Sequence, residues 1–159
     1  MIAFALGGVV TLLAVALVEI AWHVGRMPVA STASRSLPLT SFDPAAAATV
    51  RSGQPNFRAL TFATSPDNKT TSGVWSAEGP SSFEWSYGSD EAVYIHEGLV
   101  HVDYQGKQFS LGPGETAFFH AGTRATWTVP QHVRKSWSIH ETSRLTRWYR
   151  QLTGSHGPR

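Results

Sequence analysis

A chain of 159 residues has room for one ordinary domain and not for two. It holds no cysteine, which excludes disulfides, thiolate metal sites and thiol nucleophiles. The net charge of +2 is unevenly laid out: residues 59–141 carry five basic and nine acidic side chains, whereas residues 142–159 carry four arginines and no acid. An acidic middle speaks against a nucleic-acid surface, and basic flanks suit an anionic membrane.

From Ile2 to Val18 run seventeen residues without a charge, with Thr11 the single polar side chain, and Glu19, Trp22 and His23 follow at the edge. That length and uniform apolarity predict a transmembrane anchor over residues 1–25, with Trp22 at the lipid interface and Gly7-Gly8 offering a flat strip for helix packing. Arg26 and Arg35 come next, so the positive-inside rule places the rest of the chain in the cytoplasm of a single-pass membrane protein. A cleaved signal peptide, with the domain on the periplasmic or extracellular side, is the alternative; its weakness is an n-region without Lys or Arg.

Residues 26–55 are rich in Ala, Ser, Thr and Pro without a sustained period, and read as a linker in which Asp43-Pro44 can begin one helical turn. After Asn56 short β-rich runs recur every eight to twelve residues: 59–63, 73–76, 82–87, 92–96, 99–104, 107–111, 116–120, 125–129 and 134–140. Tyr104-Gln105-Gly106-Lys107 reads as a tight hairpin, and Gly112-Pro113-Gly114-Glu115 as a turn between strands. No useful helix fits between the runs, so residues 56–141 are predicted to form an all-β barrel or sandwich. In residues 142–153 Leu145, Trp148, Tyr149 and Leu152 share one face and Arg144, Arg147 and Arg150 flank it, a short amphipathic basic helix before a tail at 154–159. Its stripe either covers the barrel wall or lies on lipid or a membrane partner.

Spacing then narrows the fold. Glu91 is followed by six residues and Gly98; fifteen residues, Leu99 to Pro113, separate this from Gly114, five residues, and His120-Ala121-Gly122. Gly73-Val74-Trp75, Trp85 with Tyr87, Thr126-Trp127 and Arg134-Lys135 add to the pattern. Together residues from about Gly73 to His140 resemble the cupin family that includes the ureidoglycine aminohydrolase and ethanolamine-utilisation cupins. The resemblance implies a double-stranded β-helix, a jelly-roll barrel, and a tendency to dimerise. In metal-binding cupins a His-x-His pair precedes the glutamate and a third histidine follows the second motif. Those positions here hold Trp85, Tyr87 and Ala125. One carboxylate cannot hold a transition metal against water, so no metal or other cofactor is expected.

Strand alternation puts Glu91, Val93 and Ile95 on one face and Tyr94 and His96 on the other, which removes His96 as a replacement ligand and leaves His101 and His120 open. If Trp85, Tyr87, Glu91 and Trp127 face inward, they make an aromatic pocket with one carboxylate, suited to a small apolar or cationic molecule. The same side chains can instead fill the barrel, with Glu91 bonded to the Tyr87 hydroxyl. No catalytic residue is assigned, because Glu91 has no convincing partner nucleophile or acid. The functional expectation is a membrane-anchored, metal-free cupin that binds a small molecule or serves as an accessory module. Its partners would be membrane lipid, a second copy or a larger membrane complex, and not nucleic acid. The rival class is a cupin enzyme, aminohydrolase-, isomerase- or lyase-like, acting on a small polar metabolite.

Overall fold

The computed structural model describes residues 11, 13–19, 21, 38–44 and 46–141. Residues 13–19 are helical and carry Leu13, Val15, Leu17 and Val18, each more than half exposed. Among the described residues no helix is long and apolar enough to cross a membrane. Most of the apolar run at 1–25 lies outside the described residues, as does the amphipathic stretch at 142–153.

Eleven strands follow in the described chain: β1 (Thr40–Ser41), β2 (Ala48–Gly53), β3 (Arg58–Thr64), β4 (Thr70–Glu78), β5 (Ser81–Ser86), β6 (Asp90–Gly98), β7 (Val100–Tyr104), β8 (Lys107–Leu111), β9 (Thr116–Phe119), β10 (Arg124–Val129) and β11 (His132–His140). They form two facing sheets. One has the order β1-β3-β4-β11-β6-β9, the other β2-β5-β10-β7-β8, and every pairing is antiparallel. The nine runs read from sequence correspond to β3 through β11, with ends moved by at most three residues and 107–111 unchanged as β8.

The linker expectation needs a correction. Its second half supplies β1, which pairs with β3, and β2, which pairs with β5, so the barrel begins at Thr40 rather than at residue 56. Asp43-Pro44 does start a single turn, in which the Ala47 and Ala48 N–H groups donate to the Pro44 carbonyl, and the chain then extends into β2. These strands escaped notice because Ala48, Thr49 and Val50 lie at a sheet edge with little burial, which removes the alternation that marks a half-buried strand.

Period-two burial sets the interior. Phe83 of β5, Val93 and Ile95 of β6, Val100 and Val102 of β7, Phe119 of β9, Trp127 and Val129 of β10 and Val133 of β11 are buried, and their neighbours in sequence mostly face out. Each aliphatic or phenyl side chain so removed from water contributes about 1.5–3 kcal/mol, the main driving force for closing sheets whose strands are far apart in sequence. Turn chemistry fixes register. Gln105 and Gly106 take φ of 52° and 76°, the two left-handed residues of a tight hairpin, and β7 and β8 pair from Tyr104↔Lys107 to Val100↔Leu111. At Gly73 the need is for space: the Trp137 indole lies over it from the neighbouring strand, and a Cβ there would collide with that ring and with the Leu60 carbonyl.

Candidate functional site

All four predicted site residues face the barrel interior, and the side chain at their centre is one the prediction left out. Lys135 of β11 is 4% exposed, and its Nζ donates to Glu91 Oε1 at 2.7 Å. The ammonium also stands 4.7 Å from the Trp127 ring centroid, 5.1 Å from Trp75 and 6.0 Å from Trp85. The expected Glu91–Tyr87 bond is therefore corrected: Glu91 takes its proton donor from Lys135, and the Tyr87 hydroxyl accepts from Trp127 Nε1 at 2.9 Å.

Strand geometry explains how Lys135 arrives there. In β11, Val133, Lys135 and Trp137 alternate with outward residues, and Lys135 pairs with Trp75 on one side and Ile95 on the other. The pairing jumps from Arg134↔Glu97 to Lys135↔Ile95, which leaves His96 as an extra residue in β6, a bulge beside the site. Glu91 lies opposite Ile139, four residues along β11 from Lys135, a span of roughly 14 Å at about 3.4 Å per residue. A lysine and a glutamate, both with long stems, close that gap.

Tyr87 closes the other side. Its ring stacks on Phe119 at 4.6 Å, its N–H donates to the Thr123 carbonyl, and its carbonyl accepts from the Gly122 N–H. Burial first, and then the nearby Glu91 charge, push the phenol well above its ordinary value, so it stays protonated and uncharged. Ala125, at another ligand position of metal-binding cupins, is buried between Trp85 of β5 and Tyr104 of β7 in the sheet.

This donor set does not fit a metal ion. Trp85 and Ala125 have no lone pair to give, the Tyr87 hydroxyl already takes the Trp127 proton, and a Glu91 oxygen is held by an ammonium. Among the described residues no three His, Cys, Asp or Glu side chains come together. His101 is exposed on the outer face and bonds Ser110 at 2.8 Å; His120 is exposed and stands 3.7 Å from Asp90. Neither reaches Glu91's Lys135-bound oxygen in the hydrogen bonds or ion pairs it forms.

A second aromatic group covers the barrel at Trp85, which is half-buried. Phe57 packs against Trp75, Phe83 and Trp85 with centroids 5.6, 4.9 and 6.1 Å apart. Phe57 also lines a hollow of about 430 Å³ with Phe42, Asp43, Val50, Gln54 and Asn56. A separate hollow of about 550 Å³ lies on the outer face of the second sheet, between Arg51 and the His101 and Ser110 side chains.

Residues 64–137 match the sequence model of the EutQ-like cupin domain. The barrel has the cupin fold. Among solved structures, the cupin domain of Schizosaccharomyces pombe Cnp3 aligns with a TM-score of 0.56 and 10% identity, over 82% of this chain and 84% of that one. The Clostridium difficile EutQ protein aligns with a TM-score of 0.52 and 18% identity, over 67% and 82%. A Rhizobium leguminosarum protein of unknown function gives 0.50 and 17%, over 58% and 86%. At such identities the likeness carries the cupin fold and no activity. No curated protein matches the sequence significantly.

Lys135 is the interior residue that the sequence reading left out of the site. The signal was present, because a lysine between Val133 and Trp137 on the inward parity of a cupin strand is out of place unless it meets a charge or a ring.

Proposed function

We propose that this chain is a membrane-tethered, metal-free cupin whose barrel works as a binding module, with a lysine ammonium serving in place of the metal cation. One observation carries the reading: Lys135 and Glu91 pair at 2.7 Å with side chains only 5% and 7% exposed, under three tryptophan rings. A cation bonded to the single carboxylate of the motif leaves no free coordination geometry for a second cation.

Tethering is supported by the seventeen uncharged residues from Ile2 to Val18 and by the exposed Leu13, Val15, Leu17 and Val18 on helical residues 13–19. Arg26 and Arg35 favour a barrel on the cytoplasmic side, beside lipid, a second copy or a larger membrane complex. The test is elemental analysis of the full-length chain after purification without chelator, with thermal unfolding in manganese, zinc and EDTA. No bound metal and an unchanged midpoint are expected. One equivalent of manganese, iron, nickel or zinc per chain defeats the proposal.

A further inference from the structure

Val74 of β4 is buried on the outer face of its sheet. Trp75 and Lys135, which pair across β4 and β11, point into the barrel, so Val74 and Ser136 point out. Val74 is no part of the barrel core, yet it is only 3% exposed. Its neighbours across the strands are Leu60 and Ser136, and along β4 they are Ser72 and Ser76. Three of these four are serines, too small to roof a valine on a face open to water. The outward side chains around it show where the shielding lies. Leu60, Ser72, Ser76, Arg134, Ser136 and Ser138 are half-buried, whereas Ala92 and Tyr94 of β6 and Phe118 of β9 are exposed. The cover is centred on β4 and β11 and ends before β6.

Two apolar stretches of the chain lie outside the barrel. The helix at residues 13–19 is not the cover, because every one of its side chains is exposed. The stretch at 142–153 starts in the right place. The Glu141 N–H donates to the Lys69 carbonyl at 2.6 Å, so the chain leaves the sheet at the seam of β4 and β11, where His140 pairs with Thr70. Val74 stands four residues along β4 from Thr70, roughly 14 Å at about 3.4 Å per residue. A helix over 142–153 is about 18 Å long, so one that turns back from Glu141 passes over Val74 and stops before the far end of β4.

We propose that residues 142–153 fold back as a helix on the outer face of the six-stranded sheet, with Leu145, Trp148, Tyr149 and Leu152 on Val74 and Leu60. Thr142 and Ser143 supply the turn and the N-cap, and Arg147 and Arg150 fall on the opposite face, in water. Tethering favours this occupant over a second copy, since a segment that begins at the seam meets the face at an effective concentration of roughly millimolar. A stripe seated on the barrel is not free to enter lipid, so attachment to a membrane falls to the N-terminal segment. The docking is independent of what the barrel interior binds.

The chain holds no native cysteine, so introduced thiols report each face without interference. In the full-length chain, in detergent and in phosphatidylglycerol vesicles, the thiol of Val74→Cys should react with N-ethylmaleimide at least about tenfold more slowly than that of Tyr94→Cys. Adding Leu145→Glu and Leu152→Glu should bring the two rates together, while the thiol of Ala77→Cys, in the core, stays protected. A short bismaleimide should join Val74→Cys to Leu145→Cys or Leu152→Cys within one chain, and not to Arg147→Cys. Rapid labelling of Val74→Cys in the otherwise unaltered chain overturns the proposal, as does protection that survives the two glutamates. Links between ¹⁵N-labelled and unlabelled chains make a second copy the cover, and protection lost only in vesicles puts the stripe on lipid; both overturn it. Should the glutamates expose Ala77→Cys as well, the cross-link, which does not use them, decides.

Discussion

Replacing Lys135 by methionine and Glu91 by leucine, singly and together, tests whether the two charges depend on each other. At 2.7 Å the gross attraction is about 6 kcal/mol for an effective dielectric of about 20. Desolvation costs several kcal/mol for each ion, so the intact pair adds little net stability, while either ion left alone is expensive. Lys135→Met removes the partner of a buried carboxylate and the contact with three indoles, and should cost about 3–5 kcal/mol, or roughly 15–30 °C in midpoint for a domain of this size. Glu91→Leu strands the ammonium and should cost a similar amount. The double variant replaces the pair by apolar groups and should fall within about 1 kcal/mol of wild type. Urea unfolding of the full-length chain in detergent, followed by tryptophan fluorescence, gives all four corners of the cycle. Additive losses in the double variant, or a Lys135→Met loss below about 1 kcal/mol, would refute the buried-pair argument.

Tyr87 should ionise well above the ordinary tyrosine value, because burial and the Glu91 charge oppose its phenolate. Its folded-state value is raised, so the stability it contributes is whole below the unfolded value near 10.0 and is lost as pH rises from there through the folded value. A spectrophotometric tyrosinate titration of wild type and Tyr87→Phe checks this; a late-titrating group that persists in the variant would assign it elsewhere. Gly73→Ala should destabilise by about 1–3 kcal/mol, since the new methyl meets the Trp137 indole and the Leu60 carbonyl. Chemical unfolding with an unchanged midpoint would show that the ring is free to move aside.

Much of the barrel was legible because its strands alternate. Val93 and Ile95 against Tyr94 and His96, or Ala125, Trp127 and Val129 against Thr126 and Thr128, show the parity of a one-sided sheet in the sequence itself. The glycines and prolines between them mark where each strand must turn. What remained hidden had two physical causes. β1 and β2 sit at sheet edges, where either face can be polar, so Thr40 to Gly53 carries no alternation to read. The Lys135–Glu91 pair joins residues 44 apart in sequence and four strand positions out of register, linked only by the length of their side chains. Residue identity gave the three missing imidazoles; it could not show which distant side chain bends into the space.

Charge counting shows why that lysine changes what the barrel can receive. A divalent ion held by three neutral imidazoles and one carboxylate leaves a net charge of +1, which favours an anionic ligand. Lys135 with Glu91 leaves zero, and the imidazole positions now carry two aromatic side chains and a methyl group. The aromatic faces that the sequence offered to a cationic guest are turned on the chain's own ammonium, at 4.7 Å for Trp127 and 5.1 Å for Trp75. Among the described residues the buried side-chain polar atom left without a partner is a donor, Trp75 Nε1. An internally balanced pair therefore removes the net positive charge that a metal centre of that kind sets against an anion.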